Sequence, residues 1–348
     1  MSEDRRRAGQ VAARRDEVLR RWIADEVHPF CAPVRAQLDR SGLGRRGVRG
    51  VEDLGRLPVT ELAELGDGRD WVLQPTADGI RATGGLELRA RLLLADVLGR
   101  REGFVRRDVD LPYKPVCWTV DPVPGQPPLF VGATTTDLDR LAELGRRALA
   151  VSGVAAHDRI LCAGTDSGVG PLQLELGARD AGVSHLSTGP DLDPELLRSA
   201  GPTVVAAAPG ALRRAVEAGL PEGVRLLIAL VGPATDASGL RALRRRSGRP
   251  VRLWWAPAGV RAAWATCEAD ELHTWPEHEH VEAVDDNGRP APEGRLVWSA
   301  VGWRGSVWLR VALGPTGAVD RTPCRCGRTT PRVRGTSRTA ASRRGVRA

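Results

Sequence analysis

Four side chains with metal-ligating chemistry stand in two short runs. Cys267 and His273 are separated by five residues, and Cys324 and Cys326 by one, the second pair leading into Gly-Arg-Thr. Three thiolates and one imidazole make a tetrahedral donor set of the kind that structural zinc takes. Cys324 and Cys326 are too close in the chain for an ordinary disulfide. The bland alternative is an exposed turn that holds no metal. Small antiparallel knuckles without a large core gain from a metal staple, which favours zinc. His278 and His280 stand among acids and read as solvated rather than ligating.

Other chemistry is thin, and no catalytic residue is assigned. The chain has no Gly-x-Ser-x-Gly run and no cysteine–histidine pairing of a recognised nucleophilic form. His185 lies in an apolar run and reads as a core histidine. The turn Gly164–Gly170 resembles a phosphate loop but fits neither standard spacing, and ordinary strand-to-helix turns are rich in glycine. Ten tryptophans accompany one tyrosine and three phenylalanines, and Trp254, Trp255, Trp264, Trp275, Trp298, Trp303 and Trp308 gather in the last third. Packing is the first reading of that cluster. The second is an aromatic wall for an acyl or aryl ligand.

These residues must be held by regular elements. Strand-like segments at 159–163, 183–187, 203–207, 225–231 and 251–255 alternate with helical segments at 138–149, 172–181, 194–199, 210–218 and 238–246. That alternation predicts an α/β fold with a mostly parallel sheet and covering helices. Ligands of such sheets bind beyond the strands' C-terminal ends. Gly164–Gly170, Ala208–Gly210, Gly232–Thr235 and Ala256–Gly259 therefore surround one mouth. After Pro276, segments 280–285, 295–301 and 306–313 read as a small antiparallel β subdomain, with Asp286-Asn287-Gly288 as its hairpin turn. Upstream, residues 10–27 and 86–98 have helical periodicity, and Thr60 has the chemistry of a helix N-cap. The expected organisation is 1–135 as a helical and leader region packed on the core, 136–260 as the α/β core, 261–332 as the antiparallel subdomain with the zinc knuckle, and 333–348 as a disordered arginine-rich tail.

Composition sets limits. The 348 residues suffice for a large core, and no apolar run approaches the roughly 20 residues of a membrane span. A cytoplasmic protein with reduced cysteines and no membrane partner is expected. Lys114 is the single lysine, so the basic charge is almost all arginine. The six arginines after Pro331 carry most of the excess, and without them the net charge falls from +8 to +2. A solvated tail explains this better than a nucleic-acid-binding arm.

The stretch from Val251 to Val284 and the segments after it resemble the phenylacetate–CoA ligase branch of the adenylate-forming superfamily. Leu272-His273-Thr274-Trp275 resembles the branch's Gly-Leu-His-(Ile/Thr)-Trp, and Glu293-Gly294-Arg295-Leu296-Val297 its Glu-Gly-Glu-Leu-Val. The run from Pro323 to Pro331 resembles Cys-x-Cys-Gly-Arg-Thr-x-Pro, and Phe130 to Thr134 keeps the register of the strand after the family's phosphate loop. The resemblance covers roughly residues 50–335. It implies the large N-terminal domain of an adenylate-forming enzyme, and it implies metal-binding cysteines at Cys267, Cys324 and Cys326 with His273.

The same resemblance marks departures. Trp255-Ala256-Pro257-Ala258-Gly259 stands where the family has Tyr-Gly-Leu-(Ser/Thr)-Glu, so the glutamate position falls on Gly259 or a neighbour, and no carboxylate lies between Val251 and Cys267. The ribose-binding aspartate position is Leu313, with Arg310 kept before it, and Gly335-Thr-Ser-Arg338 lacks the hinge aspartates. The phosphate-loop slot, 117–129, holds Pro122, Pro124, Pro127 and Pro128 with one glycine and no lysine. The family's C-terminal domain is expected to be lacking. These readings predict a homologue with eroded ATP motifs that binds an acyl, aryl or CoA-type ligand, or a partner protein, without adenylation. The alternative is an active acyl- or aryl-CoA ligase using ATP, magnesium and CoA. The nucleotide or acyl pocket is assigned to Gly232, Pro233, Trp255, Ala256, Pro257 and Arg310. A small carboxylate or acyl thioester is the expected ligand, with a homodimer or a partner enzyme as the expected protein contact.

Overall fold

β-branched and apolar runs separated by amphipathic segments build the parallel sheet that the spacing predicts. The structure, a computed structural model, describes residues 8–123, 125–164, 168–232 and 239–338. It divides into two compact units, one of Trp118–Val131 and Thr136–His273, the other of Met1–Cys117, Gly132–Thr135 and Thr274–Ala348. The proline-rich segment after Cys117 thus groups with the α/β unit, and the late β segments group with the N-terminal helices.

The α/β unit contains β1 (Cys117–Asp121) and β2 (Leu129–Ala133), which pair with each other, followed by β3 (Arg159–Ala163), β4 (Ser184–Thr188), β5 (Val204–Ala207), β6 (Leu226–Val231), β7 (Val251–Trp255), β8 (Trp264–Thr266) and β9 (Leu272–His273). Strands β7, β6, β5, β3 and β4 lie side by side in that order, all parallel, and β8 and β9 continue antiparallel from β7. Strands β5 and β6 are buried along their whole length, as expected of strands covered on both faces. Leu161, Val205, Leu212, Leu227 and Leu243 share one core cluster. Burying each such side chain contributes about 2 kcal/mol. The helices Thr135–Ser152 and Val169–Asp180 cross at Gly145 and Gly177, where neither backbone has room for a Cβ. Strand β4 pairs with β3 alone among the described residues, and His185 on it is exposed rather than in the core.

The second unit holds the N-terminal helices and an antiparallel meander of β10 (Glu279–Val284), β11 (Gly294–Ala300), β12 (Val311–Asp320) and β13 (Arg332–Arg338). The amphipathic segment at 10–27 forms the helix Ala8–Trp22, which continues as a wider π-type turn over Ile23–Val27. The segment expected as a strand at 306–313 behaves otherwise. The N–H groups of Ser306 and Val307 go to Gly132 O and Trp71 O, and Arg310 has φ +51°, so the strand starts only at Val311. Thr60 does not cap a helix. It is buried and bridges to Val311, and Glu61 caps the next turn reciprocally with Glu64. Residues 333–338 of the expected tail belong to strand β13, and 339–348 lie outside the described residues. No helix among the described residues is long and apolar enough to cross a membrane.

Candidate functional site: the sheet mouth and the cysteine–histidine set

Strands β3, β5, β6 and β7 run parallel, so their C-terminal ends open on one side of the α/β unit. Trp255 ends β7 and lies edge-on to Trp264, with ring centroids 5.4 Å apart. Ala256 and Pro257 follow it and are buried, the Ala256 N–H donating to Val231 O at 2.9 Å. Gly232 follows β6, and Pro233 lies outside the described residues. Gly259 closes the turn at φ +84°, a conformation that glycine takes without strain.

One residue at this mouth was not singled out from the sequence. Asp121, at the end of β1, is 3% exposed, and its Oδ2 accepts the Gly259 N–H at 2.8 Å. A Cβ added to Gly168, directly before the helix Val169–Asp180, would stand 3.4 Å from Asp121 Oδ1. Burial pushes the Asp121 carboxyl up to about 6, against the opposing pull of the Gly259 N–H and of Arg261. Arg261 is itself buried, 3.6 Å from Asp137, which Arg140 also approaches at 3.6 Å. The signal available in the sequence was a carboxylate within the phosphate-loop slot, directly before a proline.

Arg310 is engaged inside the other unit. Nε and Nη2 donate to the Glu282 carboxylate, Nη2 also to Gly288 O at 2.7 Å, and Nη1 to Gly55 O and Leu57 O. Those five acceptors use all five guanidinium donors. Burial raises the Glu282 carboxyl, and Arg310 opposes that rise. His280 is buried rather than solvated, and desolvation takes its imidazole down to about 3, leaving it neutral. The tryptophans at 254, 264, 275, 298, 303 and 308 are all fully buried. The indole N–H of Trp254 donates to Ser152 Oγ and that of Trp298 to Glu279 Oε2. For these six rings packing is the observed role.

Of the four metal-ligating residues, Cys267 and His273 stand on the hairpin of β8 and β9, where the Cys267 N–H donates to Glu271 O. Cys324 and Cys326 share a tight turn closed by Cys324 N–H to Arg328 O and Gly327 N–H to Cys324 O, both 2.8 Å. Cys267 and His273 belong to the α/β unit, and Cys324 and Cys326 to the other. Cys267, His273 and Cys324 are buried.

Comparison with known proteins supplies the kinship. The chain is 25% identical over 344 residues to the phenylacetate-coenzyme A ligase of Thermus thermophilus, a match covering 93% of this chain and 69% of the ligase. The chain is similar to the phenylacetate–CoA ligase-like branch of the adenylate-forming superfamily. Two crystal structures of 2-hydroxyisobutyryl-CoA ligase share the fold of this chain. One, in the postadenylation state, has a TM-score of 0.68 and covers 94% of this chain and 67% of its own at 17% identity. The other, with 2-HIB-AMP and CoA in the thioesterification state, has a TM-score of 0.69 and covers 95% and 69%, again at 17% identity. No family model matches the chain.

Proposed function

We propose that this protein receives an acyl, aryl or CoA-type ligand at the sheet mouth and does not adenylate it. The observation that carries this reading is the connection between β1 and β2, residues 122–128. Four of its seven residues are prolines, which have no N–H, and the Gln126 N–H is spent on Val123 O at 3.1 Å. Two backbone donors remain, with no lysine and no side-chain hydroxyl. A triphosphate leaving as pyrophosphate needs dense positive charge and many donors. These residues therefore do not fit ATP and magnesium in the family's manner.

A structural zinc ion held by Cys267, His273, Cys324 and Cys326 belongs to the same reading. The donor set, three thiols and one imidazole, has zinc's preferred chemistry. Bound by these residues, zinc would be structural and take no part in catalysis. Self-association or a partner enzyme would account for the protein contacts expected of this branch.

The alternative is an active acyl- or aryl-CoA ligase, and the likeness to the Thermus ligase along 93% of this chain favours it. One experiment separates the two. Mg-ATP is titrated into the zinc-replete protein by calorimetry, and pyrophosphate release is followed with a panel of carboxylic acids. The proposal expects neither binding heat nor release. Acid-dependent pyrophosphate release would overturn it in favour of the ligase.

A further inference from the structure

The two places where this chain departs most from the family's nucleotide motifs touch each other. Asp121 lies within the phosphate-loop slot, Gly259 stands at or beside the glutamate position, and they are joined by a 2.8 Å hydrogen bond across 138 residues of sequence. Three features around the Asp121 carboxylate seek an anion. They are the Gly259 N–H, the start of the twelve-residue helix Val169–Asp180 beside Gly168, and the buried Arg261. A backbone N–H in a glycine turn and a helix N-terminus are general anion-binding devices. Here the chain supplies the anion itself.

We propose that Asp121 is a specificity-determining residue whose carboxylate takes the oxyanion's place in this cradle, so that the mouth admits an uncharged acyl or aryl head and rejects a phosphoryl one. The inference deepens the reading above and rests on it for the position of the pocket. A phosphoryl group brought to Gly259 meets a fixed negative charge that has already taken the local donor. An uncharged head meets no such repulsion. Arg261 is shared between Asp121 and Asp137, so its charge does not turn the cradle positive overall.

The test compares wild type with Asp121→Asn and Asp121→Glu by isothermal titration at pH 7.5, using AMP, orthophosphate and uncharged benzamide as probes. Asn keeps the shape and removes the charge, whereas Glu keeps the charge. Asp121→Asn should bind AMP and orthophosphate about tenfold more tightly than wild type, a gain that neither Asp121→Glu nor benzamide shares. Melting curves establish that each variant is folded. AMP affinity that is unchanged or weaker in folded Asp121→Asn would overturn the inference, as would an equal gain in Asp121→Glu, which would point to loosened packing. The two proposals fail separately. Pyrophosphate release by wild type removes the non-adenylating reading, whereas the role of Asp121 is decided by the direction of the Asn effect alone.

Discussion

Gly145 and Gly177 meet backbone to backbone where their two helices cross. A Cβ on Gly145 would stand 2.7 Å from Gly177 Cα and closer still to Gln173 O. No rotamer relieves such a clash, because the obstacles are main-chain atoms. Gly145→Ala should therefore destabilise the protein by about 3 kcal/mol, although alanine is the better helix former. Urea denaturation measures this, and an unchanged midpoint would show that the helices separate at little cost.

Arg310 and Glu282 form a pair that is costly to break on one side. Arg310→Met leaves a buried carboxylate and three backbone carbonyls without their donor. The expected loss is about 3–5 kcal/mol. Changing both residues to apolar ones of similar volume should cost less than the single change. Thermal melting of the singles and the double decides this, and additive losses would refute the coupling.

Asp121 gives the fold a pH dependence of definite sign. Its carboxyl is raised from 3.8 to about 6, so the folded state holds the proton more tightly than the unfolded chain. That contribution is complete below about pH 4 and is lost as the pH rises through about 6. It amounts to about 3 kcal/mol, since each tenfold gain in proton affinity is worth about 1.4 kcal/mol. Asp121→Asn should flatten this part of the stability profile between pH 4 and 7.5, as read from denaturant midpoints. A variant profile parallel to wild type would locate the slope elsewhere.

Metal analysis of protein purified without chelator should find one zinc ion per chain. Cys324→Ser should abolish it and lower the melting temperature, and a strong chelator should do the same to wild type. Folded protein recovered free of zinc, with a melting curve that added zinc leaves unchanged, would return the cysteines to an ordinary turn.

The α/β architecture was legible because it rests on local periodicity. β3 and β7 occupy the predicted segments, and the neighbouring helices begin within a few residues of theirs. The expected metal-ligating set rests instead on residue type and spacing, and zinc analysis is what tests it. What escaped the sequence depends on contacts between distant segments. The Asp121–Gly259 bond spans 138 residues, and no local pattern announces it. The start of the 306–313 segment was misread because Arg310 adopts a left-handed backbone that its type does not favour. His185 was misread because β4 lies at an edge, which is a matter of strand order rather than of composition.

That edge has a consequence for life in a crowded solution. Strand β4 presents Ser184, His185, Ser187 and Thr188 with a single apolar residue, Leu186, and at five residues it offers a ladder of only about 17 Å. A foreign chain seeking to extend the sheet finds little length and almost nothing greasy to grip. Among the described residues no further strand follows β4 in the sheet, and its short polar edge offers little foothold for runaway strand addition.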